Sequence, residues 1–279
     1  MRTHLPCASL PVDFMTDDFT LTFLGTGTST GIPVIGCGCE TCQSTDPRNV
    51  RTRSSILVQT PEVTLLVDSG PDLRQQALRE KLRTVDAVLY THGHLDHVTG
   101  FDDLRAFCWH REGALPMHAT AECMATLRTM FAWAFSTANT YRGYVKPDPK
   151  LIEGPFFYGK LKVTPLPVQH ASVETVGFLF EYPGFKSAAY FPDVKAFPPV
   201  TQTAILGIDV LILDALQPQP HATHFSNEEA LAAIGEVKAR EAWLTHLGHN
   251  NEHATLESTL PRHVKVAYDG LKLSLARSA

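Results

Sequence analysis

The chain has 279 residues, of which 44% are hydrophobic and 19% charged, and its formal net charge at pH 7 is −5. This size and composition are typical of one large domain, or two small ones, with a substantial core. The negative charge and the lack of a basic stripe argue against a large nucleic-acid footprint. No apolar run is long enough to span a bilayer.

The first 18 residues, MRTHLPCASLPVDFMTDD, lack the apolar segment of a secretory signal. Their Pro and Asp content predicts a loose N-terminal arm over residues 1–18. We therefore expect a cytoplasmic protein, in which thiols stay reduced. The six cysteines of such a protein indicate metal binding or simple burial rather than disulfides.

The first half of the chain alternates short apolar strands with polar loops. Residues 19–33 predict a strand followed by a Gly/Thr/Ser loop, and the apolar runs on either side of Pro61 predict a hairpin. Residues 72–82 have helical periodicity, with Asp72 as a candidate cap. The aromatic-rich segment of about 105–150, with a predicted helix around 121–135, is interpreted as a lid, a substrate wall, an interface or part of the core.

The second half contains five further apolar strands and one clear amphipathic helix, NEEALAAIGEVKAR. Ser226 or Asn227 is the predicted cap of this helix. The C-terminal segment VKVAYDGLKLSL predicts a strand pair around the turn dipeptide Asp269-Gly270.

Histidine and aspartate residues follow the carboxyl ends of several predicted strands. Because strand ends on one edge of a sheet converge, and open α/β sheets commonly bind ligands there, we expect these side chains to meet. The residues are His92, His94, Asp96, His97, His170, Asp193 and His246.

The segment THGHLDH, residues 91–97, packs three imidazoles and a carboxylate into a short loop. Imidazole together with carboxylate suits zinc, iron or manganese, and Gly93 allows the tight turn that such crowding requires. Two nitrogens spaced i, i+2 cannot fill the shell of one metal, so distant ligands are needed.

The sequence HGHLDH resembles the HxHxDH signature of the metallo-β-lactamase superfamily of hydrolases, and His170, Asp193 and His246 follow in the family's order. The resemblance extends from about residue 19 to residue 275. It implies an α+β fold, the αββα sandwich, in which two mixed sheets pack face to face with helices outside. Residues 19–279 would then form a single domain.

The same resemblance implies a dinuclear centre of two divalent metals, which could be manganese, zinc, iron or nickel. The implied ligands are His92, His94 and His170 for one metal, Asp96, His97 and His246 for the other, and Asp193 as the bridge. Such a pair, about 3.5–4 Å apart, would lower the pKa of a bridging water, so that a hydroxide attacks phosphorus or a carbonyl carbon. Asp96 is also predicted to be catalytic, and Asp68 to steady the loop without binding metal.

The stretch GCGCETCQ places Cys37, Cys39 and Cys42 in one loop, and His249 follows His246 by three residues. Three thiolates and one imidazole would make a closed structural zinc site with no open position for chemistry. Such a site would tie an early loop to a late loop beside the active centre. The alternative is three reduced cysteines without a metal.

These motifs together resemble the phosphonate-operon, PhnP-like branch of phosphodiesterases, which hydrolyses cyclic ribose phosphates and other phosphodiesters and carries such a zinc. The PqqB-type proteins of quinone-cofactor biosynthesis share the cysteine motif. His224, just before the amphipathic helix, matches the branch's catalytic histidine, which contacts the phosphate or protonates the leaving oxygen. His221 lies three residues earlier, so the choice between the two stays open.

The resemblance therefore predicts a metal-dependent phosphodiesterase for cyclic or small nucleotide and ribose phosphodiesters. Its expected partner is a small-molecule substrate, with no membrane and no large nucleic acid, and a homodimer is the family-based expectation. A ribonuclease-Z-like enzyme is disfavoured by the charge of −5 and the lack of a basic arm. A non-hydrolytic, PqqB-like binding protein is disfavoured because all seven expected ligand positions are retained, and buried charges without metal are costly.

Overall fold

The structure, a computed structural model, describes residues 18–109 and 111–277. Of the predicted N-terminal arm, residues 1–17 lie outside the described residues. Within them, two seven-stranded mixed sheets pack face to face with helices on both outer faces. The four-layer αββα sandwich is thus confirmed. No described helix is long and apolar enough to cross a membrane.

The first sheet has the strand order β14-β1-β2-β3-β4-β5-β6, and strands β3 to β6 run parallel to one another. The antiparallel pair of β2 and β3 is the hairpin predicted around Pro61. The strands are β1 (Thr20–Gly25), β2 (Ser55–Gln59), β3 (Thr64–Val67), β4 (Ala87–Leu89), β5 (Leu115–Ala119), β6 (Pro147–Leu151) and β14 (Lys272–Ser274).

The second sheet has the order β13-β12-β11-β10-β9-β8-β7, and β10 to β13 are parallel. Strand β8 is antiparallel to β9, which is antiparallel to β10, so β8 ends at the same edge as β10. The strands are β7 (Phe156–Tyr158), β8 (Leu161–Val168), β9 (Thr175–Glu181), β10 (Ala188–Phe191), β11 (Val210–Asp214), β12 (Glu241–Thr245) and β13 (Val264–Val266).

The helices are short and flank the two sheets. The α-helices are α1 (Glu40–Gln43), α2 (Leu73–Arg79), α3 (Leu95–Val98), α4 (Arg105–Cys108), α5 (Ala121–Met130), α6 (Ala132–Phe135), α7 (Pro199–Ala204), α8 (Asn227–Glu236) and α9 (His253–Thr259), with 3₁₀ turns at Pro47–Asn49 and Phe101–Leu104. Helix α8 begins with a capping box formed by Ser226 and Glu229, so Ser226 is the cap.

Three buried apolar clusters fill the space between the layers. The central cluster lies between the sheets and joins residues such as Phe23 of β1 to Phe178 of β9. One outer cluster packs the first sheet against α2 and α5, and the other packs the second sheet against α8. Because side chains of a strand alternate between faces, the inner strands β1 to β4 and β8 to β12 each contribute to the central cluster and to one outer cluster. Burial on both faces explains why these strands are nearly continuous apolar runs.

One local prediction was wrong, and a second was right in position only. Strands β13 and β14 do not pair around Asp269-Gly270, because β13 extends the second sheet beside β12 and β14 extends the first beside β1. Asp72 is the N-cap residue of α2, but its side chain makes no cap hydrogen bond because its carboxylate accepts hydrogen bonds from Arg53. In both cases a long-range partner outweighs the local signal.

Residues 105–150 contain α4, α5 and α6 together with β5 and β6, which widen the first sheet. Phe131 stacks on Phe101 with ring centroids 4.3 Å apart, and thus belongs to the outer core. Trp133, Tyr141 and Tyr144 are partly exposed and contact one another. The aromatic residues of this segment are therefore divided between core and surface.

His118, on β5, is a buried histidine whose ionisation should make the stability of the fold depend on pH. Its ring stacks on Phe156, and its Nε2 lies 2.9 Å from the Tyr158 hydroxyl. Burial, and then the charge of Lys150, lower the pKa of His118 from 6.5 to about 4. The unfolded chain therefore binds more protons between these two pH values, so this stabilisation is complete above pH 6.5 and is lost as pH falls toward 4.

We expect His118 to account for a loss of about 2 kcal/mol in unfolding free energy between pH 7 and pH 5. Urea unfolding at both pH values measures it, and His118→Gln should show a smaller loss than the wild type. His263→Gln, at an exposed histidine, is the control and should keep the wild-type pH dependence. Equal pH dependence in His118→Gln and the wild type would contradict the prediction.

Candidate metal centre

The histidine-rich loop after β4 lies where the carboxyl edges of the two sheets meet. His92 is buried, and its Nε2 lies 2.9 Å from Nδ1 of His94. His170, just after β8, brings its Nε2 to 3.3 Å from the same His94 nitrogen. One nitrogen from each of the three histidines lies within 4.8 Å of the other two. The structure therefore assembles the first predicted ligand group.

The second group forms beside the first. Nε2 of His97 lies 3.3 Å from a carboxylate oxygen of Asp96, and Nε2 of His246 lies 3.8 Å from the same oxygen. Asp193, just after β10, lies between the groups: its oxygens are 3.1 Å from His97, 3.3 Å from His246 and 3.7 Å from His170. This is the position required of a bridging residue, and metal binding by these side chains stays a prediction.

Asp68 steadies the histidine-rich loop through hydrogen bonds, as predicted. This buried carboxylate accepts hydrogen bonds from the backbone N–H and hydroxyl of Thr91 and lies 2.8 Å from Nδ1 of His97. The bond to Nδ1 leaves Nε2 of His97 directed at the cluster. Asp68 has a φ of 63° and His246 a φ of 55°, values that cost free energy in non-glycine residues and are retained only where the surrounding structure holds them.

The donor set fits divalent cations. Nε2 of His97, Nε2 of His246 and Oδ2 of Asp193 are buried and have no hydrogen-bond partner among the described residues. Unpartnered buried polar atoms are costly. Atoms bound to one cation at about 2.1 Å lie about 3.0–3.4 Å apart, close to the separations found here. A cation would therefore satisfy atoms that the protein leaves without partners.

Charge within the cluster keeps its carboxylates ionised. Burial raises the pKa of Asp193, but His246 and His97 outweigh it, and the net pKa is well below the ordinary value. Asp96 follows the same pattern, with His97 as the main opposing charge. Ionised carboxylates are the form that binds cations.

His224 lies beside the cluster on the loop before α8. Its ring stacks on His246 with centroids 4.8 Å apart, and it lies 4.7 Å from the ring of His170. Its Nδ1 is 2.7 Å from a carboxylate oxygen of Asp214. Burial, its largest influence, lowers the pKa of His224.

His221 occupies a different position. Its ring centroid is 5.3 Å from that of His224. Within the described residues, the hydrogen-bond partner of its Nδ1 is Thr223 of the same loop. It has no carboxylate partner among the ion pairs of the described residues. The arrangement therefore favours His224 as the histidine that acts at the centre.

Asp214 is the functional candidate that the sequence prediction missed. It ends β11, is fully buried, and accepts hydrogen bonds from the Val194 backbone N–H and from His224. Burial raises the pKa of Asp214, and the charge of His246 opposes this shift. The sequence contains a partial signal, because Asp214 follows the apolar run VLIL in the same way that Asp68 follows LLV, but it does not show that Asp214 lies beside His224.

The three clustered cysteines meet His249 as predicted. Nδ1 of His249 lies 3.2 Å from Sγ of Cys37, 3.6 Å from Sγ of Cys39 and 3.7 Å from Sγ of Cys42. Tetrahedral zinc, with Zn–S of about 2.3 Å and Zn–N of about 2.0–2.1 Å, places sulfur and nitrogen about 3.6 Å apart. The four side chains fit a closed zinc site, whose occupation stays a prediction.

Comparisons with known proteins agree with this geometry. The family model of the beta-lactamase superfamily domain matches residues 64–247. A diphosphatase of the PhnP family, known from its crystal structure, is 35% identical, with a TM-score of 0.84 over 92% of this chain and 96% of that one.

Two curated relatives cover most of the chain. An octanoyltransferase of Porphyromonas gingivalis is 36% identical over 89% of this chain, which spans only about half, 50%, of that relative's length. Coenzyme PQQ synthesis protein B of Methylorubrum populi is 28% identical over 90% of this chain and 98% of its own. The chain belongs to the metallo-β-lactamase superfamily, a family of metal-binding hydrolase folds, and within it is similar to the PhnP family.

Proposed function

We propose that the chain is a metal-dependent phosphodiesterase acting on cyclic or small nucleotide and ribose phosphodiesters. The observation that carries the proposal is the joint position of two imidazole–carboxylate groups and of His224, whose Nδ1 is held by Asp214 beside them. Similarity to a PhnP-family diphosphatase supports reaction at phosphorus rather than carbon.

Two divalent metals, when bound, would lower the pKa of a water and polarise the phosphoryl oxygens. The proposed ligands are those named above, with Asp193 shared between the two groups. A third ion, a structural zinc, would be bound by the three cysteines and His249.

The protein's own groups would orient the water and supply the proton. Asp96 lies among the ligand atoms and is 13% exposed, so its ionised carboxylate would both bind a cation and accept a hydrogen bond that orients the attacking water. His224 has its Nδ1–H bonded to Asp214. With a second proton, taken up from solvent on Nε2, its imidazolium would donate that proton to the leaving oxygen, and the carboxylate of Asp214 would offset the positive charge. With 11% of its side chain exposed, His224 is accessible to a substrate at the centre.

A second candidate is hydrolysis of a diphosphate linkage, since one of the similar solved structures is that of a diphosphatase. The same groups serve either bond, because both reactions displace an oxygen from phosphorus. A net charge of −5 favours a small substrate over RNA. The retained ligand groups favour a hydrolase over a PqqB-like binding protein.

The test begins with protein purified without added metal or chelator. Metals per chain are counted by elemental mass spectrometry. Activity is compared on bis-p-nitrophenyl phosphate, p-nitrophenyl phosphate, 2′,3′- and 1,2-cyclic phosphates, a dinucleotide diphosphate, precursor tRNA and an octanoyl thioester. Turnover of diesters above all others supports the proposal, whereas turnover of the diphosphate alone favours the second candidate. No turnover with a fully metal-loaded centre would favour a binding protein.

Substitution of the two candidate histidines tests the assignment of the proton donor. We expect His224→Ala to lower kcat on the preferred diester by roughly 10²-fold, because general acid catalysis is typically worth about 10²–10⁴-fold. His221→Ala is the matched control, and its kcat should change less than about threefold. Metal content, measured in both variants, should be unchanged. The reverse order of effects would assign the role to His221.

A further inference from the structure

The carboxylate of Asp214 lies between two imidazoles that have different proposed roles. Its Oδ2 is 2.7 Å from Nδ1 of His224, the proposed proton donor. Its Oδ1 is 3.8 Å from Nδ1 of His246, a proposed metal ligand. The two histidine rings stack on each other, 13° from parallel. One fully buried side chain thus faces the Nδ1 atoms of both histidines.

The two atoms on the His246 side have no hydrogen-bond partner among the described residues and lie 3.8 Å from each other. Over residues 18–109 and 111–277, Oδ1 of Asp214 and Nδ1 of His246 are both buried and unpartnered. One is an acceptor, and the other is a nitrogen that can donate. The register places them together, because Asp214 pairs with Thr245 across β11 and β12, and His246 is the next residue.

The backbone fixes Asp214 independently of the histidines. The Val194 N–H donates to Oδ2 across 3.1 Å, and Val194 directly follows Asp193, the shared carboxylate of the centre. A rotation of the carboxylate would therefore break a bond to the loop that carries Asp193. The bond to Val194 keeps the second oxygen directed at His246.

We propose that Asp214 is a positioning residue that holds His224 and His246 at once, so that the proton donor and one metal ligand share a single orienting carboxylate. The part concerning His224 rests on the proposed function, and the part concerning His246 rests on the donor set of the centre. Each imidazole would carry a proton on Nδ1, facing Asp214. Nε2 of His246 would then be free to bind the metal, and Nε2 of His224 would carry a second proton when His224 acts as the donor. Disturbing Asp214 would then affect metal affinity and turnover together.

The first test uses the wild-type protein and does not depend on enzymatic activity. Ring-nitrogen NMR spectra of ¹⁵N-histidine-labelled, zinc-loaded protein report which nitrogen of each imidazole carries the proton. We expect a proton on Nδ1 of both His224 and His246. An Nδ1 without a proton at either histidine would overturn the proposal, whatever the enzyme hydrolyses.

The second test compares Asp214→Asn with Asp209→Asn, at a carboxylate on the same strand segment that accepts hydrogen bonds from Ser187 at the opposite edge of the sheet. The zinc affinity of the active centre is measured by competition with a chelator. The kcat and KM of each variant are measured on the preferred diester. We expect Asp214→Asn to weaken zinc binding about 10-fold and to lower kcat with little change in KM. Asp209→Asn should change neither.

The outcomes separate the two proposals. Loss of kcat with wild-type zinc affinity in Asp214→Asn would overturn the sharing and leave Asp214 serving His224 alone. Weaker zinc binding in Asp214→Asn, in a chain whose wild type turns over no phosphodiester, would support the positioning role and contradict the proposed function. If Asp214→Asn fails to fold, the wild-type spectra decide.

Discussion

Replacing His94 with alanine is expected to lower phosphodiesterase kcat by roughly 10³-fold or more, since loss of an outer partner of a metal ligand alone costs about 10–100-fold. Nδ1 of His94 lies within 3.3 Å of nitrogens of both His92 and His170, so its loss opens the first ligand group. His94 is less buried than His92, and its removal therefore leaves the apolar core intact.

Metal content distinguishes this loss from simple misfolding. His94→Ala should bind about one metal ion fewer per chain than the wild type, while the ion at the cysteine cluster is retained. His263→Ala, at an exposed histidine, should keep wild-type kcat and metal content. A His94→Ala protein that loses its activity but keeps every metal would show that His94 acts on the substrate rather than on a metal.

The sheet edge at which the candidate metal ligands meet could be predicted from the sequence, because two sequence signals agree there. Apolar runs such as VDAVLY and SAAYF predicted buried strands, and polar residues placed directly after them had to emerge at the strand ends. The motif around His92 then indicated which polar residues belong together. Neither signal required knowledge of the packing between sheets.

The path of the C-terminal segment and the role of Asp214 could not be predicted, because they depend on contacts between residues that are far apart in the sequence. The Asp269-Gly270 turn satisfies the local rule for a hairpin, but the segment crosses from one sheet to the other, and Asp269 is held by Thr26 and Thr52. Asp214 follows a strand as Asp193 does. Only the position of His224 beside it separates a supporting carboxylate from an ordinary strand-end residue.

Loss of one clustered thiol is expected to have the second large effect. Cys39→Ser should lower the zinc content by about one ion per chain and the unfolding free energy by about 4 kcal/mol at a free zinc concentration of about 1,000 times Kd. The reason is that zinc would bind the folded chain far better than the unfolded one, since folding brings Sγ of Cys39 to 3.6 Å from Nδ1 of His249. Elemental mass spectrometry and urea unfolding measure the two quantities.

Cys108→Ser is the matched control, because Cys108 is a free thiol outside the cluster, and it should keep the wild-type zinc content. Unchanged zinc content and stability in Cys39→Ser would contradict a structural zinc. The effect on turnover should be smaller than that of His94→Ala. Backbone hydrogen bonds from Leu247 to Thr26 and from Thr28 to Leu247 already join the early and late loops beside His246, so zinc would stiffen a connection that the backbone has made.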